Sequence, residues 1–211
     1  MTDTICGLIY VGDPMCSWCW GFAPEIESLS EELPVEVVVG GLRPGPMAQE
    51  LDDRMAASLA HHWAQVAERT GQPFDSAFLD RRDGWVYDTE PAAVAVTQFR
   101  EMSMEHTLAY FTDVQLAFYG HGEDVTDHDV LVALAERHGI EPSAFGASLE
   151  TDLARKRAWA DFSKARNWGI SGFPALIGEM EGGSLVLLAR GWTPADVIRQ
   201  RIASIPGTAV V

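Results

Sequence analysis

The sequence has few basic residues, few cysteines and no long hydrophobic run. Its 15 lysines and arginines stand against 31 aspartates and glutamates, which gives a formal net charge of -16 at pH 7. No stretch gathers the basic residues into a stripe that would neutralise phosphates, so nucleic acids and anionic membranes are poor candidate partners. No apolar run approaches the roughly 18 to 20 residues that a membrane-spanning helix requires. These absences favour a globular protein that binds neither nucleic acid nor membrane.

The first residues also lack the pattern of a secretory signal peptide. Acidic Asp3 stands where such a peptide carries basic residues, and the short apolar run that follows ends at Asp13 and Pro14. We therefore expect a cytoplasmic protein. In the cytosol, paired cysteines are more often catalytic or metal-binding than structural.

Apolar periodicity predicts a βαβ unit at the start of the chain. Hydrophobic residues make up 47% of the 211 residues, enough for one large core or for two small domains with a shared interface. We predict a buried strand over about 4–11, an amphipathic helix from Ser17 to about Glu32, and a second strand over about 35–40. The short connections predict parallel strands with a helical crossover.

The middle of the sequence, from about Met47 to Trp168, has helical periodicity and almost no strand-like runs. No flexible linker flanks it, so this helical block is expected to pack against both ends of the chain. Helices are predicted near 47–70, 74–81, 90–102, 104–119, 127–138, 142–150 and 151–167.

The last part of the sequence returns to a β pattern. Strands are predicted at 174–179 and 184–189, joined by a tight turn at Gly182 and Gly183. A closing helix is predicted to follow Thr193 as its N-cap. The order of elements is therefore βαβ, a helical block, and ββα.

Two of the three cysteines, Cys16 and Cys19, are separated by only two residues. The pair has three interpretations: a redox dithiol, half of a metal site, or a structural pair without chemistry. A zinc site would need two further ligands, but Cys6 lies in the first predicted strand and none of the six histidines is close to the motif in sequence. A redox dithiol is therefore favoured, and no metal site is predicted. Cys6 is expected to be a buried, small apolar residue.

The position of the pair between a strand and a helix predicts different chemistry for the two cysteines. The start of a helix presents unpaired amide groups and the positive end of the helix dipole, and both favour a thiolate. Cys16 lies there, so it is predicted to be substantially ionised at neutral pH and to act as the nucleophile. Cys19, one turn further along and less exposed, is predicted to resolve the mixed disulfide.

The motif Cys16-Ser17-Trp18-Cys19 at a strand-to-helix junction, together with Phe173-Pro174 at the start of a late hairpin, resembles the thioredoxin superfamily. In particular, the sequence is similar to the DsbA-like branch, whose thioredoxin domain is interrupted by a helical insertion, and within it to the cytosolic FrnE-type proteins. Pro24 matches the proline that kinks the first helix of thioredoxins. The resemblance implies an α/β, thioredoxin-like fold of βαβ and ββα halves around a large all-helical insertion.

The same resemblance predicts how the chain is divided and how the motif departs from the family. It implies a first thioredoxin half at 1–45, a helical insertion at 46–167 and a second thioredoxin half at 168–211. It also implies a cis peptide bond before Pro174. The Pro-His dipeptide of DsbA is replaced by Ser-Trp between the cysteines, so a strongly oxidising potential does not carry over.

The resemblance implies a thiol–disulfide oxidoreductase or isomerase that acts on thiol- or disulfide-containing proteins. The resemblance also implies glutathione as a candidate redox partner, and it implies no other cofactor. The backbone of Phe173, before Pro174, is expected to hold an extended substrate. Trp18 and Trp20 are expected to line an apolar groove around the nucleophilic sulfur, together with Phe22 and Phe173.

Two residues are candidates for tuning the dithiol, Ser17 and Asp13. Asp13 either disfavours the Cys16 thiolate through its charge or caps the turn at Pro14, and capping is the favoured interpretation. Glu25 and Glu27 invite comparison with buried proton-shuttling carboxylates, but exposed positions on the helix are favoured for them. The six histidines are expected on solvated faces of the helical block.

Two other functions stay open. The family resemblance extends to kappa glutathione transferases and hydroxychromene carboxylate isomerases, although those enzymes generally present a serine where Cys16 stands. Some cytosolic relatives act instead as adaptors that present a regulator to a protease. In that case the dithiol would be a sensor, or would have no role.

Overall fold

The chain begins with a strand, a helix and a second strand that form a βαβ unit. The computed structural model describes residues 4–81 and 83–205. Strand β1 (Ile5–Gly12) leads into helix α1 (Ser17–Ser30), and β2 (Val35–Val39) returns beside β1 in parallel. The predicted bounds of the two strands are correct to within one residue, and α1 ends two residues earlier than predicted.

The helical middle of the chain also contains a short two-stranded sheet that the sequence did not predict. Two-residue strands β3 (Gln49–Glu50) and β4 (Val86–Tyr87) pair antiparallel, and the first predicted helix begins only at Asp53, where Asp52 caps it through the Met55 amide. A two-residue strand has no detectable periodicity, which explains why it was missed. The helices are α2 (Asp53–Thr70), α3 (Glu90–Met102), α4 (Thr107–Gln115), which continues as a π-helix over Leu116–Gly120, α5 (His128–Glu136), α6 (Pro142–Leu149) and α7 (Asp152–Asn167).

The last part of the chain completes the sheet. Strands β5 (Ala175–Met180) and β6 (Leu185–Arg190) form the predicted hairpin, and α8 (Ala195–Ala203) follows. The sheet order is β2-β1-β5-β6, with β5 antiparallel to β1. The predicted N-cap, Thr193, is wrong by one position, because Pro194 has extended backbone angles and immediately precedes the helix.

The two faces of the sheet are covered by different helices. Leu8 and Tyr10 of β1 face the main core, which includes α1 and α8, whereas Ile9 and Val11 face the opposite side. On that side they pack with Ala165 of α7, so the last helix of the middle region covers the sheet. The structure has the thioredoxin-like α/β fold with a helical insertion, and the boundaries at 45 and 167 stay predictions.

A buried ion pair joins the middle helices to the edge strand β2. Arg100 of α3 and Asp161 of α7 contact each other at 2.8 Å, with 14% and 8% of their side chains exposed. Arg100 also donates to the carbonyl of Val37, and the amide of Val39 donates to Asp161. The pair therefore partners backbone groups that an edge strand would otherwise leave free.

Across residues 4–81 and 83–205, no helix has the length and hydropathy to cross a membrane.

Candidate active site

A buried turn at the end of β1 places the dithiol at the start of α1. The Asp13 carboxylate accepts a hydrogen bond from the Met15 amide at 2.9 Å, and the Cys16 amide donates to the Asp13 carbonyl at 3.0 Å. Cys16 then takes extended backbone angles as the N-cap residue of α1. The sulfur that the sequence predicts to be nucleophilic thus lies at the positive end of the helix.

The structure brings Cys16 and the late hairpin together. The Cys16 thiol lies 3.7 Å from the carbonyl oxygen of Phe173 and is oriented to donate to it. The Phe173–Pro174 peptide bond is cis, which confirms that prediction. Gly40, at the end of β2, makes room for the Phe173 ring, because a Cβ atom at Gly40 would lie only 2.1 Å from it.

Cys19 lies deeper than Cys16. Cys16 is 6% exposed to solvent, whereas Cys19 is fully buried. The Asp13 amide lies 3.5 Å from the Cys19 sulfur and donates to it. Burial raises the pKa of the Cys19 thiol well above its ordinary value, and the neighbouring Cys16 sulfur adds to that rise.

Asp13 is a fully buried carboxyl group behind the dithiol. Its carboxylate accepts hydrogen bonds from two backbone amides, that of Met15 and, at 2.7 Å, that of Leu42. Asp13 thus joins the turn after β1 to the loop after β2. Burial raises the pKa of Asp13 to about 6, while these hydrogen bonds and Arg43 oppose the rise. The favoured turn-capping role is confirmed, and tuning of the dithiol by Asp13 and Ser17 stays a prediction.

Three buried tyrosine hydroxyls beneath the dithiol were missed by the sequence analysis. Tyr10 of β1 and Tyr119 of the π-helix are fully buried, and Tyr87 of β4 donates to the carbonyl of Met15. Burial raises the pKa of all three phenols. Strand alternation could have placed Tyr10 on the face covered by α1, but no sequence pattern places the other two beside Cys16.

An open cavity of about 250 Å³ lies over Cys16. Trp18 and Phe173, both half-buried, are on its wall, as predicted for a groove. The wall also includes residues of the helical middle region that the sequence analysis did not assign. They are Met55, Ser58, Leu59, His62, Trp63 and Tyr87, with Leu42 and Arg43 from the loop after β2.

Trp20 and Phe22 do not line this cavity, so that prediction is wrong. Trp20 is 4% exposed and Phe22 is fully buried. The Trp20 indole donates to the carbonyl of Pro73 at 2.9 Å and stacks on Tyr119, with ring centroids 6.5 Å apart. Trp20 lies one helical turn after Cys16, on the side of α1 that packs against the middle region, and it therefore anchors the two parts of the chain together.

Other sequence expectations have mixed outcomes. Cys6 is exposed rather than buried, because a register irregularity between Ile5 and Gly7 interrupts its strand pairing. Glu25 is half-buried and accepts from the Ala195 amide at the start of α8, so it caps that helix. Within the described part of the chain, no three histidine, cysteine, aspartate or glutamate side chains are grouped to hold a metal ion.

The histidines agree with expectation except for one. His138 is half-buried and lies 2.8 Å from the carboxylate of Asp113, whereas the other five are exposed. His62 is the histidine that reaches the wall of the cavity over Cys16.

Comparison with solved structures finds similar folds among disulfide-exchange proteins. A candidate protein disulfide isomerase from Nitrosomonas europaea is 39% identical, with a TM-score of 0.83 over 93% of this chain and 95% of that one. The cytosolic disulfide reductase DsbM from Pseudomonas aeruginosa, solved with GSH, is 26% identical, with a TM-score of 0.74 over 94% and 98% of the two chains. Both alignments extend over the helical middle as well as the sheet.

Comparison with curated sequences finds a more distant relative. The ClpXP adapter protein SpxH of Bacillus subtilis is 22% identical over 164 residues, which are 78% of this chain and 55% of that protein. The chain therefore spans about half the length of the curated relatives that it matches. The family model for the DSBA-like thioredoxin domain matches residues 8–203. Since that match includes both halves of the sheet and all the helices between them, the chain belongs to the DSBA-like thioredoxin family.

Proposed function

We propose that this protein is a thiol–disulfide oxidoreductase in which Cys16 is the nucleophile and Cys19 is the resolving thiol. The observation that carries the proposal is the position of Cys16. Its sulfur lies at the N-terminus of α1, opposite the Phe173 carbonyl, and on the wall of an open cavity. Cys19 is fully buried and does not reach that cavity, so a substrate meets Cys16 first.

The two cysteines exchange a disulfide with a substrate in two steps. In the reducing direction, the Cys16 thiolate attacks a substrate disulfide, forms a mixed disulfide and releases one substrate thiolate. The Cys19 thiolate then attacks the Cys16 sulfur, forms the Cys16–Cys19 disulfide and releases the second substrate thiolate. Two electrons pass to the substrate, and the same steps in reverse oxidise a dithiol.

The substrate is held by the backbone beside Cys16 and by neighbouring apolar side chains. Before the cis proline, the backbone of Phe173 is placed to pair with an extended chain. Trp18 and Phe173 supply apolar surface beside it. These groups suit a thiol- or disulfide-containing polypeptide.

Glutathione is proposed as a further redox partner, in the cytoplasm. The cavity contains two basic side chains, Arg43 and His62, although the chain carries a net charge of -16. Such side chains are suited to the carboxylates of glutathione, and the cavity volume is near the lower end of small-molecule sites, roughly 300 Å³. The DsbM relative solved with GSH supports this partner.

The reduction potential of the Cys16–Cys19 pair tests the proposal. Protein with the Cys6→Ser replacement is equilibrated in graded glutathione buffers, and its free thiols are counted. We expect one two-electron transition between roughly -120 and -270 mV, whose position distinguishes an oxidant, an isomerase and a reductant. A pair that shows no reversible transition, or exchange no faster than that of a Cys16→Ser control, would refute the proposal.

A second candidate function is that of an adaptor, which the similarity to SpxH favours. An adaptor needs its docking surface but not its thiols. A partner retained after simultaneous Cys16→Ser and Cys19→Ser replacement, with an unchanged cell phenotype, would support this function over thiol exchange.

A further inference from the structure

A buried tyrosine beside the resolving cysteine has a hydroxyl group without a well-aligned acceptor. Tyr10 is fully buried, and its hydroxyl lies beside the Cys19 sulfur. None of the described residues offers this hydroxyl a well-aligned acceptor. A buried hydroxyl without a well-aligned acceptor is unfavourable, and the neighbouring Cys19 sulfur becomes a strong acceptor for it once that thiol loses its proton.

The surrounding residues hold the Tyr10 ring in one place. Phe22 of α1 and Phe111 of α4 pack against it, with ring centroids 5.7 and 5.4 Å away. Gly12 leaves space for its outer end, because a Cβ atom there would lie 2.7 Å from the ring and 2.8 Å from the hydroxyl. The hydroxyl therefore has little freedom to turn away from Cys19.

The Cys19 sulfur also meets a backbone donor. The Asp13 amide lies 3.5 Å away, and Tyr10 approaches from β1. A neutral thiol is a weak acceptor, whereas a thiolate accepts charge-assisted hydrogen bonds that are roughly twice as strong as neutral ones. Both donors thus interact most favourably with Cys19 when it loses its proton.

We propose that Tyr10 is a positioning residue that donates a hydrogen bond to the Cys19 thiolate as it resolves the mixed disulfide. The inference rests on the proposed function, because it concerns the second step of that exchange. In this step Cys19 gives its proton to solvent, the Cys19 sulfur bonds to the Cys16 sulfur, and the bond from Cys16 to the substrate sulfur breaks. Tyr10 keeps its own proton throughout.

The Tyr10 hydroxyl acts on the pKa of the Cys19 thiol. Burial opposes the thiolate and raises the pKa of Cys19, and the Tyr10 hydroxyl offsets part of that rise. Other ionisable groups also face the pair, so they are kept unchanged in every comparison. They are Asp13, Cys16, Tyr87 and Tyr119, with Arg43 and His62 on the wall of the cavity.

The two steps are separated with dithiobis(nitrobenzoate), a disulfide that releases coloured thionitrobenzoate. In reduced Cys6→Ser protein, Cys16 attacks the reagent and releases one equivalent, and Cys19 then displaces the second equivalent from Cys16. We expect Tyr10→Phe to leave the first phase unchanged and to slow the second about tenfold at neutral pH. The pH at which the second phase is half-maximal should rise by about one unit.

A matched control removes a buried hydroxyl elsewhere. Tyr110→Phe deletes the hydrogen bond to the Leu131 carbonyl, 3.0 Å long, and should leave both phases unchanged. Fluorotyrosine placed at Tyr10 preserves the side chain if Tyr10→Phe fails to fold, and its more acidic hydroxyl should accelerate the second phase.

The outcomes separate this inference from the function on which it rests. A parent protein that releases only one equivalent would overturn the dithiol function, and the role of Tyr10 with it. A parent that releases two equivalents, with a second phase that neither change at Tyr10 alters in rate or pH dependence, would overturn the role of Tyr10 alone.

Discussion

The thiol of Cys16 lies 3.7 Å from the carbonyl oxygen of Phe173, although 157 positions separate the two residues in sequence. The end of β1 leads to the nucleophile, and the start of its antiparallel neighbour β5 follows the backbone that faces it. The helical region between them forms the remaining wall of the cavity. The proposed exchange reaction therefore depends on contacts among all three parts of the chain.

The proposed order of attack predicts which single replacement traps a substrate. Cys19→Ser leaves Cys16 able to form the mixed disulfide but removes the thiol that resolves it. We expect this variant to accumulate covalent complexes with thiol-containing proteins or glutathione, detected by non-reducing electrophoresis and mass spectrometry. Cys16→Ser should trap none, and equal trapping by both variants would contradict the assignment.

Gly40 and Gly172 form a matched pair for testing the backbone beside Cys16. Gly40→Ala forces the Phe173 ring to move, whereas a Cβ atom at Gly172 meets no described residue within 4 Å other than its own chain neighbours. We expect Gly40→Ala to raise the KM for a disulfide peptide severalfold, and Gly172→Ala to leave it near the parent value. Steady-state kinetics check this, and equal KM values for the two variants would argue against substrate docking at Phe173.

The buried Asp13 predicts a pH dependence of stability. Its pKa is raised to about 6, against roughly 3.9 in an unfolded chain, so the native state binds the proton more tightly. Its contribution to stability is fully present below about pH 4 and is lost as the pH rises through about 6, a change on the order of 3 kcal/mol. Asp13→Asn should flatten this part of the profile in urea titrations.

Asp127→Asn serves as the control for that profile. Asp127 also accepts a hydrogen bond from a backbone amide, that of Asp129 at the start of α5, but it is exposed. Its replacement should leave the pH dependence between 4 and 6 unchanged. A parent protein whose unfolding free energy does not fall between those pH values would contradict the raised pKa of Asp13.

Trp18 and Trp20 are predicted to respond oppositely to replacement. Trp20→Ala removes a buried ring and the hydrogen bond to Pro73, so it should lower the unfolding free energy by about 3–5 kcal/mol. Trp18→Ala should affect stability much less, because Trp18 is half-buried, but should weaken substrate binding at the cavity. Thermal or chemical unfolding and KM measurements give both values for each variant, and a reversed ranking would refute the division of roles.

The ion pair between Arg100 and Asp161 predicts a strong single-site effect. Arg100→Met leaves the buried Asp161 carboxylate without its cationic partner, which should cost about 3–5 kcal/mol of stability. Asp161→Leu in the same chain removes that unpaired charge and should restore part of the loss. A double-mutant cycle with no coupling would contradict a buried interaction between them.

The elements and the dithiol could be predicted because they depend on local patterns. A continuous run of apolar, β-compatible residues identified β1, and the short spacing of Cys16 and Cys19 after it placed the pair at a helix start. The resemblance supplied the cis peptide at Pro174. Trp20 was misplaced because its neighbour in the fold, Tyr119, is almost a hundred positions away and belongs to a π-helix that local periodicity does not reveal.

The polar groups around the dithiol could not be predicted for the same reason. Leu42 and Tyr87 reach the turn at Asp13 and Met15 only after β2 and the helical region have packed. Cys6 was misassigned because a register irregularity depends on how β1 meets β5. Such contacts arise from tertiary packing rather than from the residues adjacent in sequence.

The contacts of Arg100 and Asp161 with β2 have a consequence for the modularity of the chain. The polypeptide leaves the sheet after β2, and two of the helices that follow return to bind that same strand through these two side chains. Excising the helical region would remove the partners of two backbone groups of β2 and uncover an edge suited to aggregation. The helical region therefore cannot be removed or exchanged without exposing β2. We expect the chain to unfold in a single cooperative transition.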